Sequence, residues 1–170
     1  MNDSTYRNSL GDEEDITDLA HRVEELEYRP KVIFNAHHSS LTPTRAHAAD
    51  AGWDLRADQE TVIPSGAIRI VRTGVRVDLP AGTHGMICSR SGLVAKHGLA
   101  VANAPGIIDS GYTGEILVAL INHGRQAYRV LPGDRIAQIV FGRTDLVEVR
   151  GGATLERDSR GDGGHGSSGR

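Results

Sequence analysis

The chain has 170 residues, enough for one domain with appendages, and its 38% apolar and 4% aromatic content calls for a modest, largely aliphatic core. Nineteen basic against 22 acidic side chains give a formal charge of −3, yet residues 1–30 hold nine acids and three bases, which leaves the rest of the chain at +3. A mildly basic body without a lysine and arginine run suits a small anionic ligand and argues against a nucleic-acid track. No stretch approaches the roughly 18 apolar residues of a membrane span, the acidic start is unlike a secretion signal, and a single cysteine, Cys88, allows neither an intrachain disulfide nor a thiolate metal cluster. A cytoplasmic protein with no membrane and no nucleic-acid partner is expected.

Residues 1–14 are polar and read as mobile. Ile16, Leu19, Ala20, Val23 and Leu26 then recur on one helical face until Pro30, which predicts a short amphipathic helix over residues 16–27. Such a helix packs on its own body or oligomer, or docks a protein partner. From Lys31 the signals turn to β, with short apolar or alternating runs at residues 31–34, 67–71, 74–79, 116–121, 128–131, 136–141 and 146–149. Pro64-Ser65-Gly66, Pro80-Ala81-Gly82, His123-Gly124 and Pro132-Gly133-Asp134 punctuate them. Many short strands without an intervening helical period predict an all-β sandwich or barrel of jelly-roll type. The expected division is an acidic extension over residues 1–30, a β domain over 31–150 and a glycine-rich arm over 151–170.

The residues with chemical potential lie in five places. In the stretch from Asn103 through Pro105, Gly106, Ile108, Asp109 and Tyr112 to Glu115, the Asp109 carboxylate and the Tyr112 ring sit among turn residues, and the β-rich run from Glu115 is expected to anchor a hairpin. Taken alone, Asp109 is either an ordinary turn aspartate or a carboxylate held rigidly for acid–base work. Arg90 and Ser91 stand at a strand end before Gly92, which can open a short helix, and a guanidinium, a hydroxyl and backbone N–H groups there suit an anion. Asp54, in a strand-edge turn after Gly52-Trp53, serves either a metal-bound water or the turn itself. Gln138 within a strand is a buried hydrogen-bonding residue or a phosphate contact. The tail from Arg160 to Arg170 is a flexible end or an arm that closes on phosphate, because glycine lets N–H groups approach anions and Arg160 can clamp them. Met86-Ile87-Cys88 reads as a buried strand with Cys88 as a small core residue, and His84, His97 and His123 lack zinc-ligand spacing.

In this order, AGWDL, RSGLVAKHG, NAPGIIDSGYTGEI, PGDRIAQ and RGDGGHGSSG resemble the five motifs of the homotrimeric dUTPase family, the dUTP nucleotidohydrolases, over about residues 31–170. The resemblance implies a jelly-roll-like subunit that forms a homotrimer with shared active sites and hydrolyses dUTP to dUMP and pyrophosphate. It implies Asp109 as general base, Asn103 and the backbone from Gly106 to Ile108 as readers of uracil, and Tyr112 as the ring beneath the deoxyribose. Arg90, Ser91, Gly92 and Gln138 would cradle phosphate, while Arg160, His165, Gly166 and Ser167 would lie on the closing arm. A Mg2+ ion would be held mainly by phosphate oxygens and waters, with Asp54 touching it through water.

Three positions depart from the family pattern: His165 where phenylalanine is frequent, Gly111 where many relatives carry an acid, and a bulky Trp53 that suggests packing. Because imidazole titrates near neutrality, kcat is expected to vary with pH between roughly 5.5 and 7.5, and His165→Phe to flatten that limb in a pH–rate profile. Two other classes compete: a dCTP deaminase relative, which needs a different second motif, and a nucleotide-sensing regulatory protein whose acidic extension docks a partner.

Overall fold

Period-two patterning from residue 33 onward folds as strands whose alternate side chains enter one core. In the computed structural model, which describes residues 5–7, 13–15, 30–145 and 147–152, the chain begins with β1 (Thr5–Arg7) and β2 (Glu13–Asp15). It continues through β3 (Ile33–Ala36), a 3-10 turn at Ser39–Leu41, β4 (Gly52–Arg56), β5 (Thr61–Ile63), β6 (Ile68–Arg72), β7 (Val75–Asp78) and β8 (Thr83–Cys88). Helix α1 (Ser91–His97) follows, then β9 (Leu99–Val101), β10 (Gly106–Asp109), β11 (Leu117–Asn122), β12 (Tyr128–Val130) and β13 (Arg135–Arg143).

A four-stranded sheet in the order β10-β8-β13-β4 and a three-stranded sheet in the order β6-β11-β9 carry the fold, with the pairs β12-β5 and β3-β7 beside them. Every ladder among the described residues is antiparallel. The architecture is all-β and jelly-roll-like. Leu55, Ile63, Val71, Val75, Leu99, Ile116, Leu120, Val130 and Ile139 are all but sealed from solvent, and each such side chain stabilises the fold by about 1.5–3 kcal/mol. β7 shows the rule at its simplest, burying Val75 and Val77 while Arg76 and Asp78 face out. The polar groups inside are paired: Asn122 donates to the carbonyls of Ile63 and Gln126 and accepts the Gly124 N–H, and Thr73 donates to the Ile116 carbonyl.

α1 ends at Gly98, which adopts a left-handed φ of 67° and donates to the Leu93 and Val94 carbonyls. A side chain there is blocked twice, because a Cβ would also lie 2.8 Å from the Gly124 nitrogen.

Several expectations need correction. Part of the segment read as mobile pairs as β1 and β2, in the register Thr5↔Asp15 to Arg7↔Glu13. Residues 147–150 form no strand: Val147 and Val149 alternate as a strand should but pair with no strand among the described residues, and both are exposed. β10 does not pair with β11: it is laddered to β8, while β11 lies in the other sheet between β6 and β9. The segment carrying Asp109 is therefore a crossing between sheets. Asp54 lies within β4 rather than in a turn. Ile87 is buried as expected, whereas Cys88 is only half-buried because alternation turns it to the opposite face of β8. The helix predicted over residues 16–27 and the arm from residue 153 lie outside the described residues.

Candidate active site

Three separate stretches meet around β13. It runs between β8 and β4, and Gln138 is paired with Cys88 on one side and Asp54 on the other, so one row across the sheet sets the floor. Just beyond the end of β8 the chain turns into α1, which places Arg90, Ser91 and Gly92 at the rim. These elements enclose an open cleft of about 450 Å³ whose lining includes Asp54, Arg90, Ser91, Gly92, Arg135 and Gln138.

The Asp54 carboxylate, only 16% exposed, lies between two guanidinium groups. Arg90 Nε meets Asp54 Oδ1 at 2.9 Å and Arg135 Nη1 meets Oδ2 at 3.1 Å. Arg90 Nη1 also donates to the Arg135 carbonyl at 3.1 Å. Gln138 Nε2 donates to the Ser89 carbonyl at 3.1 Å, while Ser89 Oγ accepts the Val101 N–H. The cleft thus holds two guanidinium groups around one carboxylate in a hydrogen-bonded frame, with Asp50 as a second carboxylate in its lining. Gly52 belongs to that frame, because a Cβ there would collide with the Gln138 amide. On the other face of β4, Trp53 packs against Phe34 with ring centroids 6.1 Å apart and carries the Arg45 guanidinium 4.5 Å from its own centroid. That cation–π contact and the Arg45 bond to the Asp50 carbonyl fasten the loop forming the cleft's other wall.

A second group gathers along β10. Gly106 stands opposite Ile87 and Asp109 opposite His84, whose Nδ1 shares a hydrogen bond with Thr144 Oγ1 at 2.9 Å. Asn103 leans on Gly106, where a Cβ would come 3.3 Å from its amide nitrogen. Ile108 packs on the core, and Asp109 is exposed. The Asp109 carbonyl accepts the Tyr112 N–H at 3.0 Å. The Tyr112 ring is folded over Gly114, and its hydroxyl donates to the Glu115 carbonyl at 2.8 Å. Glu115 anchors the far side of this turn through a forked pair with Arg72 and by accepting the Gly74 N–H. Burial pushes the Glu115 carboxyl up, but the bonds from Arg72 and Gly74 outweigh it and leave the group below its ordinary pKa.

Of the residues singled out in the sequence, Asp54, Arg90, Ser91, Gly92 and Gln138 come together in the cleft, and Asn103, Gly106, Ile108, Asp109 and Tyr112 along β10. Within one chain the row of Asp109 stands six residue steps along β8 and its extension from Arg90, up to roughly 20 Å of extended backbone, whereas Gly106, opposite Ile87, is three steps from Arg90. Arg160, His165, Gly166 and Ser167 lie outside the described residues. Sequence reasoning missed Arg135. Its signal was present in PGDRIAQ, three residues before Gln138, but its direction depends on a strand irregularity that no spacing announces.

The sequence matches the family model for dUTPase over residues 38–169. The chain belongs to the dUTPase family. Its relatives include the deoxyuridine 5'-triphosphate nucleotidohydrolase of Nocardia farcinica, 52% identical over 128 residues that span 75% of this chain and 78% of that one. The Solibacter usitatus protein of the same name is 45% identical over 140 residues, 81% and 95% of the two chains. Among solved structures, the Staphylococcus bacteriophage 80alpha dUTPase with dUPNHPP superimposes with a TM-score of 0.75 at 26% identity, covering 82% of this chain and 99% of that one. For a dUTPase, the donor set bears on Mg2+: no group of three or more His, Cys, Asp or Glu side chains gathers among the described residues. Asp54 and Asp50 are the carboxylates lining the cleft, a set that fits an ion held mostly by ligand phosphates and water.

Proposed function

We propose that this dUTPase-family chain hydrolyses dUTP to dUMP and pyrophosphate at sites shared between the copies of a homotrimer, lowering dUTP and supplying dUMP for thymidylate synthesis. The observation that carries the reading is the arginine-framed cleft in which the residues of three family motifs converge. A Cβ on Gly92 would touch no protein atom, so the space beside it is open to a ligand, and backbone N–H groups at the start of α1 face no intrahelical partner. Arg90, Ser91, Gly92 and Gln138 hold the phosphates in this reading. A Mg2+ ion, reached by Asp54 through water, would supply charge neutralisation on the phosphate oxygens.

β10 is the edge strand of its sheet, so one row of its N–H and C=O groups has no ladder partner and is available to read a base. Asn103 with the backbone from Gly106 to Ile108 takes the uracil edge, and a narrow slot leaves no room for a methyl at ring position five. Cytosine is refused because its reversed donor and acceptor pattern leaves buried polar groups unpaired. Tyr112, held by its hydroxyl bond, supports the deoxyribose and excludes a 2′-hydroxyl by bulk. Asp109 takes the proton of a water as its oxygen attacks the α-phosphorus in line; the bond to the bridging oxygen breaks and pyrophosphate leaves. The arm bearing Arg160, His165, Gly166 and Ser167 covers the bound nucleotide and excludes bulk water.

The six residue steps of β8 and its extension between the Asp109 row and Arg90 support sharing, because a base must lie within hydrogen-bond reach of the attacking water. Exposed Ile68 and Ile70 on β6 and Leu117 on β11, side by side on the outer face of the three-stranded sheet, supply apolar surface for assembly. The acidic residues 1–30 precede all five motifs and serve assembly or a protein partner; deleting them distinguishes the two by a dissociated trimer or by intact turnover. No helix among the described residues is long and apolar enough to cross a membrane, which accords with work in the cytoplasm.

The test is pyrophosphate release from dUTP, dCTP, dTTP and UTP with Mg2+, with turnover expected for dUTP alone. Tight dUTP binding without turnover would favour a nucleotide-sensing protein, and turnover of dCTP the deaminase relatives. Gly52→Ala is expected to raise KM for dUTP about tenfold with little change in kcat, since displacing Gln138 removes one hydrogen bond to a charged group. Steady-state kinetics checks this.

A further inference from the structure

We propose that Arg135 is a second phosphate-binding cation of the cleft, aimed into it by a β-bulge and held ready by Asp54. This rests on reading the cleft as the phosphate site. Against β4, the register of β13 runs Gln138↔Asp54 and Ala137↔Leu55 and then shifts, so that Arg135 rather than Ile136 pairs with Arg56. Ile136 and Ala137 are consequently both buried, 2% and 0% exposed, although they are neighbours on one strand. In a regular ladder, alternation from the cleft-facing Gln138 would turn Ile136 to the cleft and Arg135 to the core face. The bulge reverses both, hiding the isoleucine and bringing the arginine to the face of Gln138 and Asp54.

Once there, Arg135 spends one N–H on Asp54 Oδ2 and stays 45% exposed beside the cleft. Its fork has five donors, and the same carboxylate is already engaged by Arg90 on its other oxygen. One carboxylate shared by two guanidiniums leaves unspent donors on both. That spacing suits a chain of phosphates, which can lay one group on each cation, and offers a monophosphate no second contact. Arg135 therefore selects for phosphate number. An ion pair that only fastened β13 to β4 would make no such distinction.

Arg135→Gln is expected to raise KM for dUTP about tenfold, to weaken competitive inhibition by inorganic tripolyphosphate by the same factor, and to leave inhibition by dUMP unchanged. Arg135→Lys, which keeps the charge and loses the fork, should recover part of the tripolyphosphate affinity. The double variant Asp54→Asn, Arg135→Gln, which also removes the charge that Arg135→Gln leaves paired with Arg90 alone, should keep the weak tripolyphosphate binding of Arg135→Gln. Equal losses for dUTP and dUMP, or a lower Tm with tripolyphosphate binding intact, would overturn the proposal. Were the cleft not a phosphate site at all, the unmodified protein would bind no tripolyphosphate, an outcome separable from a failure confined to Arg135.

Discussion

Asp109→Asn is expected to lower kcat for dUTP by about 10²–10⁴-fold, the usual contribution of a general base, with nucleotide affinity almost unchanged. Asparagine matches aspartate in size but has no carboxylate to accept the proton of the attacking water. The substitution should be silent for the fold. Asp109 is exposed at the end of β10, and it is the residue's backbone carbonyl that accepts the Tyr112 N–H and closes the turn. Single-turnover pyrophosphate release, with calorimetric binding of a non-hydrolysable dUTP analogue, separates the two quantities. A kcat within tenfold of the unmodified protein would remove Asp109 from the role of base, and loss of binding in step with kcat would make it a substrate contact.

The second large effect is a recovery. Arg90→Ala and Asp109→Asn proteins should each be nearly inactive alone, yet mixed subunits refolded together should regain roughly a quarter of full activity if each site joins the Asp109 of one copy to the Arg90 of another. The fraction follows from chance: one subunit must be the Arg90 variant, contributing an intact Asp109, and its neighbour the Asp109 variant, contributing an intact Arg90. Geometry motivates the experiment, since the cleft at the junction of β8 and α1 and the carboxylate at the far end of β10 lie on different rows of one sheet. Arg90→Ala is tolerable structurally because Arg135 still pairs with Asp54. A mixture as inactive as its parents, with mixed trimers demonstrated by mass, would place each site within a single subunit.

Much of this protein is readable one residue at a time. Alternation in β7, the apolar runs of β11 and β13 and the turn residues between them declare strands because side-chain direction follows local backbone geometry. The motifs were legible for the same reason: Arg90, Ser91 and Gly92 are neighbours in the chain, as are Asn103, Asp109 and Tyr112 nearly so. Pairing is another matter. The run after Asp109 looked like the second arm of a hairpin, but β10 bonds to β8 and β11 to β6 and β9, because long-range packing of buried faces, not proximity in sequence, chooses a strand's partner. Val147 and Val149 carry a strand's pattern without a ladder, since a strand exists only by bonding to another. Arg135 makes the distinction sharpest: its charge and place before Gln138 are written in the chain, whereas its direction arises from a one-residue register shift that requires both β4 and the buried Ile136. Composition and spacing thus established most of the strands, though not β4, β5 or β9, and the chemical groups, and only the folded sheet, through register and burial, decided which groups face one another.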